Sequence, residues 1–425
     1  EELTKFKRVA SQAKFNLKWT DDSEHAEAST DFLNQFVMMV AAEALAAQKD
    51  PRRIRWRFSV PDSLDGEMRL NFKTNLRDIT AKISTEITDP SDILRELYSE
   101  GLSAAEFILD GGAGFTRASL NLVLDIGGGT TDITVWDYGP IHWIGSFRLA
   151  GQNFFTRTIS QNPGILAPIG LGHWQGLFEF REGAVEGVSR ADIPHLAEML
   201  FSGPALQQAI DEHWNSRLSL DTGKDLRMVG QVFLAGLAWY MGRVVRQLVV
   251  DGKLREDQLE NPAFALCGRG AGIFKKMHGG GRADELSGTT KALELFSVAA
   301  GLGENSRPQL FTTPDAKLEV VRGMIRSTGD KRALAENAST FYLTGIGLEF
   351  DGGGEMTPEA KAQRSSLPSK VRSVDLSEFD AFVAALADKV DIEIDLQESN
   401  RQGARTAIDL AVRKSINDLL DNPDV

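Results

Sequence analysis

Residues 121–137, NLVLDIGGGTTDITVWD, constrain the fold of this chain more than any other stretch. Leu122, Val123, Leu124 and Ile126 form a short apolar run that reads as a buried strand. Three glycines and two threonines follow, and a second strand starts almost at once with Ile133, Val135 and Trp136. An acid stands on each shoulder of the turn, Asp125 and Asp132. Successive glycines reach backbone angles closed to other residues. Their N–H groups can turn into one concavity that suits an anion. Thr130 and Thr131 add hydroxyl donors, and Asp125 stands where a hydrated Mg²⁺ needs an oxygen ligand. A plain hairpin needs one or two glycines at fixed positions. Three glycines plus two threonines between two carboxylates exceed that need, so Gly127, Gly128, Gly129, Thr130 and Thr131 are read as a phosphate-binding turn.

The chain has 425 residues, enough for two or more hydrophobic cores. A net charge of −13 argues against a general nucleic-acid or anionic-membrane surface. Cys267 is the single cysteine, which excludes an intrachain disulfide and fits a cytoplasmic setting. No apolar run reaches the ~20 residues of a membrane span. The six histidines show no metal-ligand spacing. Asp221–Asp225, DTGKD, lacks the glycine and the Ser or Thr that a nucleotide loop of that type requires.

Along the chain, Asp31–Ala47 reads as a helix with Phe32, Phe36, Met39 and Val40 on one side. Ile54, Trp56, Phe58 and Val60 alternate with polar residues, as a strand that stops at Pro61. A helical stretch follows to about Ser84, then a strand within Ile93–Tyr98 and a small-residue helix, Glu100–Leu109. After the central motif, Ile141–Ala150 reads as a third, antiparallel strand and Gly151–Ser160 as the start of a helix. Residues 161–227 change character and read as an insertion. Met228–Val250 is a strongly periodic helix. Ala263–Cys267 is a buried strand, followed by the glycine loop Gly268, Arg269, Gly270, Ala271, Gly272. Helices are expected at Ile273–Met277, Lys291–Leu302 and Asp315–Ser327, with a strand at Gln309–Thr312. Beyond residue 330 the signals weaken. Asp351–Pro368 reads as a polar loop, Leu376–Lys389 as a helix, residues 392–396 as a strand and Ala404–Leu420 as a last helix.

This order, with GGGTTD between the first two of three strands, resembles the ATPase superfamily of actin, the 70-kDa heat-shock chaperones and sugar kinases. Within that superfamily it most resembles a bacterial heat-shock-chaperone-like protein. LVLDIGGGTTDITV is similar to that family's second phosphate loop, LCGRGAGIFKKM (Leu266–Met277) to its adenosine loop, and TPDAKLEVVRGM (Thr313–Met324) to its second connecting helix. RIRWRFSVPDSLDGEMR and LRELYSEGLSAAEF resemble parts of the first half, with Glu100 at the acid position. The resemblance implies an α/β fold of two ribonuclease-H-like halves, the first incomplete, with inserted subdomains and a C-terminal α/β extension. The expected division is 1–110 for the partial first half, 111–330 for the second and 331–425 for the extension. Three strands carrying a first phosphate loop would precede residue 1, so a missing N-terminal segment or a second chain is expected to complete the site.

The activity so implied is binding and slow hydrolysis of ATP with Mg²⁺, coupled to a protein partner or client. Asp125, Glu100 and Thr130 would be catalytic, and Asp125 and Asp132 would serve the metal. Gly127 to Thr131 would hold the phosphates, and Gly268, Arg269, Gly270 and Ala271 the adenosine. Arg269 stands where the family has a second glycine; its guanidinium either stacks on adenine or blocks the site. Other readings stay open. Asp125 and Asp132 can be hairpin acids bonding turn N–H groups. Glu100 can be a helix-start acid that offsets the dipole. An actin-like filament or scaffold protein, a module that binds ATP without turnover, and a small-molecule kinase are the rival functions.

Overall fold

The computed structural model describes residues 26–64, 66–94, 97–109, 119–137, 140–147, 150–151, 158, 162–167, 172, 224–268, 270–271, 287–302, 308–312, 318–326, 338–339, 343, 347–350, 371–389, 401–410 and 413. Arg269, the helix at Ile273–Met277, the loop Asp351–Pro368, the strand at 392–396 and nearly all of the 161–227 insertion lie outside them. The fold is mixed α/β, and the described chain divides into two compact units. The first comprises residues 1–230, 252–287 and 306–341; the second comprises 231–251, 288–305 and 342–425.

The first unit is built on the hairpin of β3 (Asn121–Ile126) and β4 (Thr131–Trp136), whose twelve residues are all buried. Continuous apolar runs of this kind suit a strand covered on both faces. β5 (Ile141–Phe147) adds to β4 antiparallel, while β6 (Ala263–Cys267) and β7 (Gln309–Thr312) add parallel on the other side of β3. The sheet order is β5-β4-β3-β6-β7. Three antiparallel strands therefore meet two parallel ones at β3, the strand that runs into the glycine turn.

A second, two-stranded sheet pairs β1 (Phe58–Val60) with β2 (Leu97–Ser99) in parallel. The alternation from Ile54 onward predicts a longer strand than this. The backbone upstream is committed elsewhere: Trp56 N–H donates to Ile93 O at 2.8 Å, and the Trp56 indole donates to Ser84 Oγ at 2.9 Å. Pro90–Ile93 is a short helix, α3, so the expected strand at Ile93–Tyr98 shrinks to β2. Around these strands a core forms with α1 (Ala26–Ala46) and α2 (Gly66–Ala81). α1 buries Leu33, Val37 and Ala41, one helical stripe, against a core that includes Phe72, Leu76 and Ile79 of α2. The neighbouring stripe expected from sequence is mostly outside this core: Phe32, Phe36 and Met39 are exposed.

α4 (Glu100–Leu109) covers one face of the large sheet. Ala104, Ala105, Phe107 and Ile108 pack on Val123, Trp136, Ile141, Ala265 and Cys267. Small residues at 104 and 105 let the helix approach the sheet closely. α7 (Leu318–Arg326) packs on α4 through Gly323, where a Cβ would stand 1.8 Å from the Ser103 carbonyl oxygen. Arg322 lies over the Phe107 ring, 5.7 Å from its centroid, and Arg57 donates to the Met324 carbonyl.

In the second unit, α5 (Lys224–Val250) contributes its residues from 231 onward. Gly242 meets α6 (Ser287–Ala299), since a Cβ there would lie 2.4 Å from Phe296 O. β8 (Gly347–Phe350) and β9 (Val371–Asp375) form an antiparallel hairpin that the sequence did not signal. Trp239 Nε1 donates to Glu378 Oε1 at 2.8 Å, tying α5 to α8 (Ser377–Lys389). Residues 401–410 are helical, with Arg401 and Arg405 paired to Asp380.

The α4–α7 contact has no room for a methyl group. Gly323→Ala is expected to lower the unfolding free energy by about 1–3 kcal/mol, as overpacking does. A denaturant titration measures it. An unchanged midpoint would mean the two helices slide apart freely.

Candidate functional site

The glycine turn closes with a hydrogen bond from Gly127 N–H to Thr130 O at 2.9 Å. Gly128 and Gly129 are exposed, and no atom lies within 4 Å of where a Gly129 Cβ would stand. Neither Gly127 nor Gly129 adopts the left-handed backbone angles that the sequence suggested as their reason. A Cβ at Gly127 would crowd Thr130 O at 3.0 Å, while at Gly129 the missing side chain leaves open space above the turn. Thr130 Oγ1 reaches Asp132 Oδ2 at 3.3 Å. Thr131 is the first residue of β4, fully buried and paired with Ile126. Strand alternation places its side chain on the face opposite Asp132.

Asp125 and Asp132 stand directly opposite each other in the β3–β4 ladder. Opposite residues of an antiparallel pair share a face, and like charges there are destabilising. Val123 and Trp136 mark that face as the one under α4. Both carboxylates therefore lie under α4, at the end of the sheet nearest its first turn. A Cβ at Gly101 would stand 3.3 Å from Asp132 Cβ.

α4 begins with a built cap. Ser99 Oγ accepts from Leu102 N–H at 3.0 Å, a typical N-cap bond. The next residue, Glu100, has its Oε1 bonded by Ser59 Oγ at 3.2 Å. Ser99 Oγ in turn donates to Asp62 Oδ2 at 2.5 Å, and Asp62 N–H donates to Asp132 Oδ1 at 3.2 Å. Four acids thus gather here: Asp62, Glu100, Asp125 and Asp132. Burial, above all, pushes the Asp132 carboxyl well above the usual carboxylate range; Glu100, Asp125 and Asp62 push it further, and the Ser146 hydroxyl opposes them. Burial likewise raises Asp62, with Glu100 adding to it and the Ser99 hydroxyl and Arg69 opposing. Arg69 Nη2 lies 3.6 Å from Asp62 Oδ1.

The loop after β6 arrives at the same place. Asp125 and Cys267 are neighbours in the parallel ladder. Gly268 follows with φ of +79°, an angle that L side chains rarely adopt. A Cβ at Gly268 would lie 2.3 Å from Asp125 Oδ1, and one at Gly270 would lie 2.7 Å from Ile126 O. Gly268, Gly270 and the buried Ala271 already belong to a helical turn, earlier than the sequence suggested.

The structure thus gathers Asp125, Asp132, Thr130 and Glu100 around the glycine turn and seats Gly268 and Gly270 against the end of β3. Sequence reasoning missed Asp62 and Ser99. Asp62 follows Pro61 and resembles any turn acid, and Ser99 resembles any helix cap. Among the described residues, no group of three or more His, Cys, Asp or Glu side chains is arranged to hold a metal, and no helix is long and apolar enough to cross a membrane.

No protein-family model matches the chain, and no curated protein matches it in sequence. Among solved structures, the chain is similar to MreB5 of Spiroplasma citri bound to ADP, at 15% identity and a TM-score of 0.34, over 74% of this chain and 78% of that one. It is similar to the ethanolamine utilization protein EutJ from Carboxydothermus hydrogenoformans at 15% identity and a TM-score of 0.33, over 69% and 73%. A second structure of the Spiroplasma citri protein, bound to AMPPNP, gives 14% identity and a TM-score of 0.30 over 67% and 71%.

Proposed function

We propose that the first unit binds an adenine nucleotide with Mg²⁺ and hydrolyses it slowly, in the manner of the actin and 70-kDa heat-shock chaperone superfamily. One observation carries the reading: the facing carboxylates Asp125 and Asp132, the open Gly127–Thr130 turn and Glu100 at the head of α4 meet at one end of β3. The sheet supports it. Counted within the large sheet alone, the strands run 3-2-1-4-5 with the second antiparallel, as in a ribonuclease-H-like half.

The residues fit Mg²⁺ shared with a ligand. Mg²⁺ is commonly held by one or two carboxylates plus phosphate oxygens and water. Asp125 and Asp132 offer two carboxylates on one face, at a place where their own repulsion calls for a cation. When bound, the ion offsets phosphate charge. The turn N–H groups and Thr130 Oγ1 hold the phosphates. Glu100 orders the attacking water. Asp125 and Asp132 would hold the metal, while Gly268, Gly270 and Ala271 would form the floor for the nucleoside. The chain's output is a change of conformation passed to a protein partner or to further copies of itself.

Calorimetry with ATP and Mg²⁺ and a phosphate-release assay test the reading. Binding and slow release are expected from the wild type. Asp125→Asn should slow release about tenfold or more, a loss of roughly 1.4 kcal/mol of transition-state stabilisation. A wild-type chain that neither binds nor releases would sink the proposal. Sedimentation with and without ATP separates filament assembly from a monomer that signals to a partner.

Asp132 gives a second test. A carboxyl whose folded pKa lies above its unfolded value contributes stability that is full below the ordinary carboxylate range and is lost as pH rises through the folded value. At neutral pH without Mg²⁺, buried Asp132 is therefore a liability to the fold. Asn imitates the protonated acid. Asp132→Asn is expected to stabilise the metal-free protein by about 0.5–2 kcal/mol, as other relief of functional strain does. The same change should weaken the response of nucleotide binding to Mg²⁺. Thermal melts at pH 8 and pH 5 check it, with the gain larger at pH 8 than at pH 5.

A further inference from the structure

We infer that Asp62 is a positioning residue of this site: its carboxylate holds the first turn of α4, and with it Glu100, against Asp132. The catalytic consequence rests on the nucleotide reading above; the mechanical coupling does not.

Asp62 joins three segments that are far apart in sequence. Its Oδ2 accepts from Ser99 Oγ at 2.5 Å, within the range of a charge-assisted hydroxyl–carboxylate bond. That bond orients the Ser99 hydroxyl so that its lone pair accepts Leu102 N–H at 3.0 Å and caps α4. Its Oδ1 is held by Arg69 of α2. With the side chain anchored at both oxygens, the backbone N–H of Asp62 is aimed at Asp132 Oδ1, 3.2 Å away. From β1, three residues before Asp62, Ser59 Oγ bonds Glu100 Oε1 at 3.2 Å. β1 and the residues just after it therefore fix Glu100 from one side and Asp132 from the other.

A turn acid after a proline would ordinarily bond N–H groups two residues on and face water. Asp62 does neither. Its side chain is 17% exposed and, besides Arg69, meets Ser99 37 residues away, while its backbone N–H meets Asp132 70 residues away. It also adds negative charge beside Asp132. An acid placed where it repels its neighbour needs a reason other than fold stability, and the tie to Ser99 supplies one.

The test uses Asp62→Ala, Ser99→Ala, the double variant and Asp62→Asn in the full chain. Both single variants are expected to lower kcat for ATP about tenfold, or 1.4 kcal/mol, with nucleotide Kd changed less than about twofold. The double variant should be no slower than the slower single, since both act through one hydrogen bond. Asp62→Asn keeps an acceptor for Ser99 and should recover most of the rate. Amide hydrogen exchange without nucleotide reads the coupling separately: Asp62→Ala should speed exchange about fivefold or more in both 99–106 and 126–134, and leave the remainder of the unit unchanged. If the wild type hydrolyses nothing yet this paired loosening occurs, the positioning role stands and the nucleotide reading falls. Unchanged exchange in either segment, or a uniform rise with a lower melting point, overturns the positioning role.

Discussion

The structure depends on tolerating two carboxylates set directly opposite each other in a buried hairpin. Asp125 and Asp132 face one another across β3 and β4, where each neighbouring residue is apolar or fully buried. Like charges so placed work against the ladder, and burial works against either charge alone. The fold answers with donors. Asp132 receives the Asp62 N–H and the Thr130 hydroxyl. The positive end of α4 is close by, because its first turn lies against Asp132. These contacts offset the repulsion and burial of the pair only in part, since the Asp132 carboxyl stays well above the usual carboxylate range.

Close backbone approach is the second device. Gly268 and Gly270 stand where any side chain would strike Asp125 or the Ile126 carbonyl, so the loop after β6 can lie directly on the end of β3. Gly323 does the same for α7 against α4 at Ser103. The first contact brings two loops to one site. The second holds rigid the helix that carries Glu100. Both work by removing atoms: a larger residue at Gly268 or Gly270 would press on the end of β3 directly, and one at Gly323 would act through α4.

How far the sequence discloses this structure differs by element. β3, β4, β6, β7 and α4 are legible because each is a compact apolar or small-residue run with glycine, proline or acid punctuation at its ends. β1 is not, because its alternating pattern extends back to Ile54 while its partner β2 is only three residues long. Pattern reports a face, whereas a strand also needs a neighbour. α1 shows the same gap: two adjacent stripes are apolar, and the one with the smaller Ala41 is buried. β8 and β9 are short strands separated by 20 residues in the chain, too far apart for a local hairpin signal. At the site, Asp125, Asp132, Thr130 and Glu100 were marked by motif. Asp62 and Ser99 were hidden, since a single acid and a single serine acquire meaning only from the contact between them.

The helix-start reading of Glu100 does not conflict with the role proposed for it. As the first residue of α4, Glu100 sits where a helix start favours negative charge. The dipole fixes where the charge can sit, and Ser59 fixes which way it points. A cation entering between Asp125 and Asp132 would relieve the repulsion that Glu100 and Asp62 add. Whatever binds the folded state and not the unfolded chain raises stability by mass action. Under the function proposed above, the repulsion among these four acids would couple the binding of a cation to the stability of the hairpin.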